Sequence, residues 1–325
     1  MFKTPKFWNK KKSFISTILL PITTIFIIST ILRRIFTKTE ILKDKFIICI
    51  GNATVGGTGK TPTTIALYKE LNTIFPNNVC IISKGYGRKT KGFLKVNSTH
   101  TTQEIGDEPK IISQTAPIYL FSKIQDIQKN ILQIQEQIII TDDGLQNPSF
   151  HKNFTILTIE KNLFGNNKIF PSGPLREPPS YAISKSNAIL FTENPTTPFY
   201  TNKPFFYITK TFSNKITPQK IIAFSGIANN SKFYNSLIEL GFEVEKFLEF
   251  PDHYPYKPHE INKIINLNKE AKIITTEKDW VKLTKPHQKI IHFLKLEYHI
   301  PNELIKIIIT EIKKNKKILY KQKIL

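Results

Sequence analysis

The chain has 325 residues, of which 40% are hydrophobic and 22% charged, so it can bury one large core or two ordinary ones and is not composed like a disordered protein. Its 47 basic and 25 acidic residues give a net charge of +22, which suits a nucleic-acid binder, a membrane-surface protein or an enzyme of phosphorylated substrates. Only four of the basic residues are arginines, so part of this charge reflects a lysine-rich composition rather than a partner.

The first predicted element is an apolar helix near the N-terminus. Residues 14–32 carry no charge and are flanked by lysines at 10–12 and by Arg33 and Arg34. This length can just span a bilayer, but hydroxyl side chains recur on one helical face, which indicates a helix half immersed in lipid. The first 45 residues hold ten basic and two acidic side chains, a balance suited to anionic lipid headgroups. A core helix of the soluble domain is the alternative.

Apolar, β-rich runs then alternate with helical patterns. The runs lie at 46–52, 79–85, 116–121 and 137–143, and the helices begin at Lys60 and near 124–135. This alternation predicts an α/β fold with a parallel sheet and helices on both faces. A Pro- and Gly-rich stretch at 162–180, interpreted as an active-site loop and linker, precedes two more apolar runs, ILFTE and FFYITKTF.

A second alternation begins at Ile221. Its apolar runs are KIIAFSG, FEVEKFLEF, AKIITTE and IIHFLKLEY, with helices predicted near 230–240, after Pro258 and at the lysine-rich C-terminus. The predicted division is therefore a membrane-associated helix, a larger α/β core and a smaller α/β domain whose terminal helix can pack back on the core. These parts cover residues 1–36, 37–214 and 215–325.

The two cysteines, Cys49 and Cys80, each lie inside an apolar run and have no CxxC spacing. This placement argues against a disulfide framework and against a zinc site. We expect buried strand positions in a protein of a reducing compartment.

The first predicted strand leads into TVGGTGKT and then a helix, which is the context of a phosphate-binding P-loop. Backbone N–H groups of the loop would converge on the phosphates, Lys60 would bridge the β- and γ-phosphates, and the Thr61 hydroxyl would bind Mg²⁺. Thr54 departs from the strict pattern, which has glycine there, and an ordinary glycine-rich βα turn is the alternative. The nucleotide-binding candidates are Thr54, Val55, Gly56, Gly57, Thr58, Gly59, Lys60 and Thr61.

A P-loop also needs an acidic residue at the end of another hydrophobic strand, to hold Mg²⁺ through water. The run QIIITDD supplies Asp142 and Asp143. In isolation two aspartates after a strand would more often form a turn, but together with the P-loop they predict the metal side of a nucleotide site.

Two common P-loop classes do not fit. A GTPase would carry an NKxD-type base reader, which TEKD at 276–279 does not match, and an LSGGQ-like ABC signature is absent from the sequence. Instead six polar motifs follow the P-loop in order, namely SKGYGRKTKG, GDEP, DDGLQN, PSGPLREP, FPDHYPY and TEKD. With the P-loop and the N-terminal helix, they resemble the tetraacyldisaccharide 4′-kinase family, the lipid A 4′-kinases of Gram-negative bacteria.

The resemblance implies a P-loop kinase core that uses ATP and Mg²⁺. It implies transfer of the γ-phosphate to the 4′-hydroxyl of a tetraacyldisaccharide 1-phosphate, giving lipid IV A, at the cytoplasmic face of the bacterial inner membrane. The expected partners are this lipid and an anionic membrane, not nucleic acid, and a monomer is expected.

The resemblance also assigns roles to single residues. It makes Asp107 of GDEP the general base, aided by His253 of the PDHY sequence in the second domain. Without it, Asp107 reads as the cap of the helix that Pro109 starts, and His253 as a residue that orders a loop. Arg176 is assigned on other grounds: it is one of only two arginines outside the membrane flank, and a guanidinium suits bidentate contact with phosphate. We therefore assign Arg176 to phosphate or transition-state contact and Glu177 to Mg²⁺; a surface salt bridge between the two is the alternative.

Four further positions are assigned to the acceptor. Tyr86 and Gln146 match the family pattern, whereas Lys84 stands where the family usually has Arg and Asn147 where it usually has His. Lys84 keeps the charge without the guanidinium fork, and Asn147 cannot titrate. Two other functions stay open from the residues alone: a membrane-anchored P-loop ATPase that acts as a switch or assembly factor, and a nucleic-acid-dependent ATPase, which charge alone favours.

Overall fold

The computed structural model describes residues 5–213, 216–268 and 270–315. The larger domain is built on an eight-stranded sheet in the order β3-β4-β2-β5-β1-β6-β7-β8. Its strands are β1 (Phe46–Gly51), β2 (Val79–Ser83), β3 (Leu94–Lys95), β4 (Ile118–Leu120), β5 (Ile138–Asp142), β6 (Phe154–Ile159), β7 (Ala188–Phe191) and β8 (Phe205–Tyr207). All neighbours run parallel except β3 and β4, so the predicted parallel α/β fold is confirmed.

The N-terminal apolar segment forms two helices, α1 (Phe14–Ile18) and α2 (Leu20–Phe36), after a 3₁₀ turn at Lys6–Asn9. The predicted helix is interrupted at Leu19, because Pro21 has no N–H to donate to the preceding turn. Within the described residues, no helix combines the length and the apolarity needed to cross a membrane.

The helices α1 and α2 bury some of their hydroxyl side chains and expose most of their large apolar ones. Ser16 and Thr23, from the predicted row of hydroxyls, are buried against the loop that contains Ser172. Eleven large apolar side chains of the two helices are exposed. The face with Ser16 and Thr23 therefore packs on the protein, whereas Thr17 and Thr24 of the predicted row are exposed together with the large apolar side chains.

Five helices connect the strands of the large sheet: α3 (Lys60–Ile74), α4 (Thr102–Ile105), α5 (Asp107–Ile112), α6 (Ile124–Lys129) and α7 (Pro179–Ser184). Both faces of β1 are buried, since Ile48 packs with α3 residues while Ile47 packs with α6 residues. Cys49 and Cys80 are buried free thiols in β1 and β2, as predicted.

The element pattern differs from the prediction in three places. The short β3 and the fully buried β6 were not among the predicted strands. The predicted helix near 124–135 ends at Lys129, and a 3₁₀ turn at Ile131–Gln133 follows it. The runs FFYITKTF and IIHFLKLEY are each divided between two sheets, because both cross from one domain to the other.

The smaller domain holds a parallel sheet in the order β11-β10-β12-β13, beside an antiparallel ribbon of β9 and β14. These strands are β9 (Thr209–Phe212), β10 (Lys220–Ser225), β11 (Glu243–Glu249), β12 (Lys272–Thr276), β13 (His292–Leu294) and β14 (Leu296–His299). The helices are α8 (Asn230–Glu239), α9 (Pro258–Ile265), α10 (Glu277–Trp280), α11 (Lys285–Ile290) and α12 (Asn302–Lys314).

The C-terminal helix α12 returns to the larger domain. Leu304, Ile308 and Ile312 lie in the same buried cluster as Phe46 and Ile48 of β1. The β9–β14 ribbon therefore carries the chain out to the smaller domain and back. The predicted domain boundary between 214 and 215 falls on two residues outside the described ranges, as do the last ten residues of the predicted terminal helix.

Candidate active site

The P-loop lies between β1 and α3, at the carboxyl edge of the large sheet. Gly56 and Gly59 have φ angles of 115° and 74°, and Gly59 is the N-cap of α3. A Cβ on Gly59 would come within 2.7 Å of the Tyr298 hydroxyl. Thr54 is not among the positive-φ residues and pairs with Leu175 across an isolated β-bridge, so its backbone does not require glycine. The loop thus tolerates the departure from the strict pattern.

Lys60 heads a chain of charged groups. Its Nζ lies 3.1 Å from Asn52 Oδ1 and 3.7 Å from Asp143 Oδ2. Arg176 donates to the same Asp143 oxygen at 2.9 Å. Burial would raise the pKa of Asp143, but Lys60 and Arg176 outweigh it and hold the pKa below its usual value. The predicted alternative of an Arg176–Glu177 ion pair is wrong, since Arg176 pairs with Asp143. Lys60, Asp143 and Arg176 are therefore brought together as two cations around one carboxylate.

Asp142, the last residue of β5, is the buried carboxylate next to the P-loop helix. The Thr61 hydroxyl donates to its Oδ2 and the Thr64 hydroxyl to its Oδ1, each at 3.2 Å. Burial, reinforced by the charge of Asp143, raises the pKa of Asp142 to about 6. A dication between Thr61 and Asp142 would offset this burial, so these side chains fit a Mg²⁺ site. Among the described residues, no three His, Cys, Asp or Glu side chains form a metal site by themselves.

Asp107 and His253 meet across the two domains. Asp107 is the first residue of α5, and its Oδ2 lies 2.8 Å from Nδ1 of His253, which has a φ of 57° in the loop after β11. The predicted capping role of Asp107 is wrong, because the N-cap is Gly106 and no side chain caps this helix. Burial would raise the pKa of Asp107, but the His253 hydrogen bond and the charge of Lys282 outweigh it and lower the pKa.

The other side of the His253 ring is held by Lys278, which was not among the predicted site residues. Lys278 Nζ lies 3.0 Å from His253 Nε2, 3.0 Å from Asp252 and 3.4 Å from Glu108. Burial would lower the pKa of Lys278, but Glu108 and Asp252 outweigh it and raise the pKa, so it stays charged. Lys278 therefore donates to Nε2, and the Nδ1 hydrogen of His253 points to Asp107. The TEKD motif contained this lysine, but sequence reasoning gave the motif no role.

Glu177 is only 1% exposed and lies within a ring of donors. Arg34 of α2 and Lys185 bond to its Oε2, and Gln146 donates to its Oε1 at 2.9 Å. The same Gln146 accepts from Arg176 at 3.3 Å and donates to the Asn52 carbonyl at 2.7 Å. The structure thus places Gln146 between Glu177 and Arg176.

The remaining acceptor candidates differ in exposure. Lys84 follows β2 and is exposed, and Tyr86 is 75% exposed with its ring centroid 5.6 Å from that of His253. Asn147 is buried, and its Oδ1 accepts from the backbone N–H and the hydroxyl of Ser149. Lys84 and Tyr86 are thus accessible to a ligand, whereas the Asn147 amide oxygen organises its own loop.

Comparisons with known proteins identify the family of this chain. The sequence model of the tetraacyldisaccharide-1-P 4′-kinase family matches residues 15–313. Tetraacyldisaccharide 4′-kinases of Rickettsia canadensis and Rickettsia bellii are each 36% identical to this chain, over 92% of it and over 94% and 96% of their own lengths. The crystal structure of LpxK from Aquifex aeolicus in complex with ATP superposes with a TM-score of 0.73 at 25% identity, covering 91% of this chain and 99% of that one. The chain therefore belongs to the tetraacyldisaccharide 4′-kinase family.

Proposed function

We propose that this chain transfers the γ-phosphate of ATP to the 4′-hydroxyl of a tetraacyldisaccharide 1-phosphate, forming lipid IV A. The observation that carries the proposal is the Asp107–His253 pair beside a complete P-loop arrangement. Glu108, next to Asp107, lies within 3.6 Å of His253 Nε2, and its charge also acts on Lys60 and Asp142. A carboxylate base and a phosphate-binding loop in one site fit transfer to an alcohol better than hydrolysis alone.

Asp107 is the group we assign to the acceptor proton. The 4′-oxygen forms the new bond to the γ-phosphorus, the bond from that phosphorus to the β–γ bridging oxygen breaks, and ADP leaves. The hydroxyl proton passes to the Asp107 carboxylate, whose lowered pKa keeps it ionised at neutral pH. His253, hydrogen-bonded through Nδ1, holds this carboxylate in position for the transfer.

Charge neutralisation falls to the nucleotide side of the site. Lys60 and Arg176, now paired with Asp143, are the cations that can turn to the transferred phosphoryl group. Mg²⁺, when bound, neutralises charge on the β- and γ-phosphate oxygens, and Thr61 and Asp142 are the residues that would hold it. We keep Lys84 and Tyr86 as contacts to the sugar and phosphate groups of the acceptor.

We further propose that the protein works as a monomer on the cytoplasmic face of the bacterial inner membrane. The exposed apolar side chains of α1 and α2, together with the basic N-terminal segment, support interfacial binding to anionic lipid. Asp107 and His253 come from one chain, which supports a site that needs no second copy.

The test is a transfer assay with γ-labelled ATP, Mg²⁺ and the disaccharide 1-phosphate in mixed detergent micelles. We expect label in the lipid with wild-type protein and none with an acceptor whose 4′-position already carries phosphate. ATP hydrolysis without lipid labelling would contradict the kinase and support the switch ATPase. Hydrolysis that RNA or DNA stimulates would support the nucleic-acid-dependent alternative.

A further inference from the structure

Glu177 connects three segments that are distant in sequence. Its donors are Arg34 on the last turn of α2, Lys185 directly after α7, and Gln146 in the loop after β5. Both carboxylate oxygens are occupied, and the side chain is 1% exposed. A buried carboxylate with donors on both oxygens fixes its partners strongly, because losing one partner leaves an uncompensated buried charge.

On one side of Glu177 lies the N-terminal helix. The Arg34 guanidinium stacks over the Tyr181 ring at 4.3 Å, and Lys185 lies 4.5 Å from the same ring centroid. At its other end, α2 is bonded through Thr23 to Ser172 at 2.7 Å, in the loop that leads to Arg176. The helix is thus joined at two points to the segment that carries Arg176.

On the other side lies the nucleotide site. Gln146 donates a hydrogen bond to Glu177 and accepts one from Arg176. Arg176 in turn donates to Asp143, which pairs with Lys60. The hydrogen bonds and ion pairs therefore run without a gap from Arg34 to the lysine of the P-loop. Such a contiguous polar network can transmit the position of one element to another.

We propose that Glu177 is a positioning residue that couples the placement of α2 to the alignment of Gln146 and Arg176, rather than a Mg²⁺ ligand. The inference rests on the proposed phosphoryl transfer for its kinetic consequence, but not for its structural one. It assigns to α2 a second task besides contact with lipid, because movement of Arg34 would release Glu177 and, through Gln146, the guanidinium of Arg176.

The kinetic test compares Arg34→Met, Glu177→Gln and the double variant in detergent micelles, where membrane retention is not limiting. Each single variant should lower kcat about tenfold, with KM for ATP and the Mg²⁺ requirement unchanged, and the double variant should be no worse than either single one. Arg34→Lys should restore most of the loss. The matched control is Arg33→Met, which removes the same charge one residue away and should keep wild-type kcat at saturating acceptor.

Three outcomes would overturn the inference. A raised Mg²⁺ requirement in Glu177→Gln alone would make Glu177 a metal ligand. Normal turnover in Arg34→Met would break the link to α2. An equal loss of kcat in Arg33→Met would mean that the total charge of α2, rather than the Arg34–Glu177 contact, sets the rate. All assays are run well below the lowest unfolding temperature of the set, so that a loss of folded protein is not read as a loss of alignment.

Amide hydrogen exchange supplies a readout that does not depend on catalysis. Residues 144–149 should exchange faster in Arg34→Met and in Glu177→Gln than in wild type, and Arg33→Met should leave them unchanged. Unchanged exchange in both variants would overturn the coupling. A wild-type protein that labels no lipid would instead contradict the proposed function and leave the exchange result interpretable.

Discussion

The nucleotide side and the acceptor side of the proposed active site are assembled in different ways. On the nucleotide side, Asp142 is the last residue of β5, and Thr61 lies just after the loop that follows β1. These two strands are direct neighbours, with Ile50 opposite Asp142. On the acceptor side, Asp107 and His253 are 146 residues apart and belong to different domains. Nucleotide binding therefore needs one sheet, whereas the base needs two docked domains. The two halves should be separable by mutation.

The largest separation is expected at the base. Asp107→Asn keeps the shape of the side chain but cannot accept the proton, so kcat should fall about 10³-fold. Because no hydrogen bond or ion pair joins Asp107 to the P-loop in the part of the chain that the structure describes, KM for ATP should change by less than about threefold. Steady-state kinetics at saturating acceptor would measure both quantities, and unchanged turnover would remove Asp107 from catalysis.

The converse variant acts on the nucleotide side. Lys60→Met removes the cation that we assign to the phosphates, and kcat/KM for ATP should fall about 10²-fold or more. Lys69→Met, which removes a half-exposed lysine from the same helix, is the matched control and should keep both constants. Equal losses in the two variants would mean that the charge of α3, rather than the Lys60 contact, matters.

A smaller effect is expected when Lys278, which holds the His253 ring, is replaced. Lys278→Met removes the donor to Nε2, so the ring is free to turn and to change tautomer, and kcat should fall about tenfold with KM for ATP unchanged. Lys285→Met, an exposed lysine on α11, serves as control. A raised KM for ATP with normal kcat in Lys278→Met would place this lysine on the nucleotide side instead.

The smallest effect concerns pH. The pKa of Asp142 is raised to about 6, so this carboxylate is ionised above that pH and neutral below it, and Mg²⁺-ATP should bind more weakly as pH falls. From about pH 6.5 to 5.5 the apparent affinity should drop about threefold beyond the change in Asp142→Asn. This variant is the reference because ATP itself takes up a proton in the same range. Parallel pH profiles would contradict the assignment.

The same contrast explains what the sequence could predict. The P-loop, the Asp142–Asp143 pair and most of the sheet follow from local patterns, because each βα unit carries its own strand, turn and helix signals. The Asp107–His253 pair came only from resemblance to a family. Local signals favoured a helix cap for Asp107 and a loop-ordering role for His253. The two side chains pair only because the two domains dock against each other.

Lys278 and Arg34 show the limit of local patterns more sharply. Lys278 lies in a short helix after β12, and its role depends on a histidine from a different loop. Arg34 looked like a flank of a lipid-contacting helix, yet it reaches a buried glutamate 143 residues away. Pairings of this kind depend on tertiary packing that no window of sequence contains.

In the proposed reaction, Asp107 takes the proton of one acceptor hydroxyl, and the γ-phosphate goes to that hydroxyl alone. The most direct measurement is the position of the new phosphate in the lipid product, determined by phosphorus–proton NMR correlation after complete reaction with wild-type protein. We expect coupling of a single new phosphate to the proton at carbon 4′. A phosphate at any other carbon, or ATP consumed with no new lipid phosphate, would contradict it.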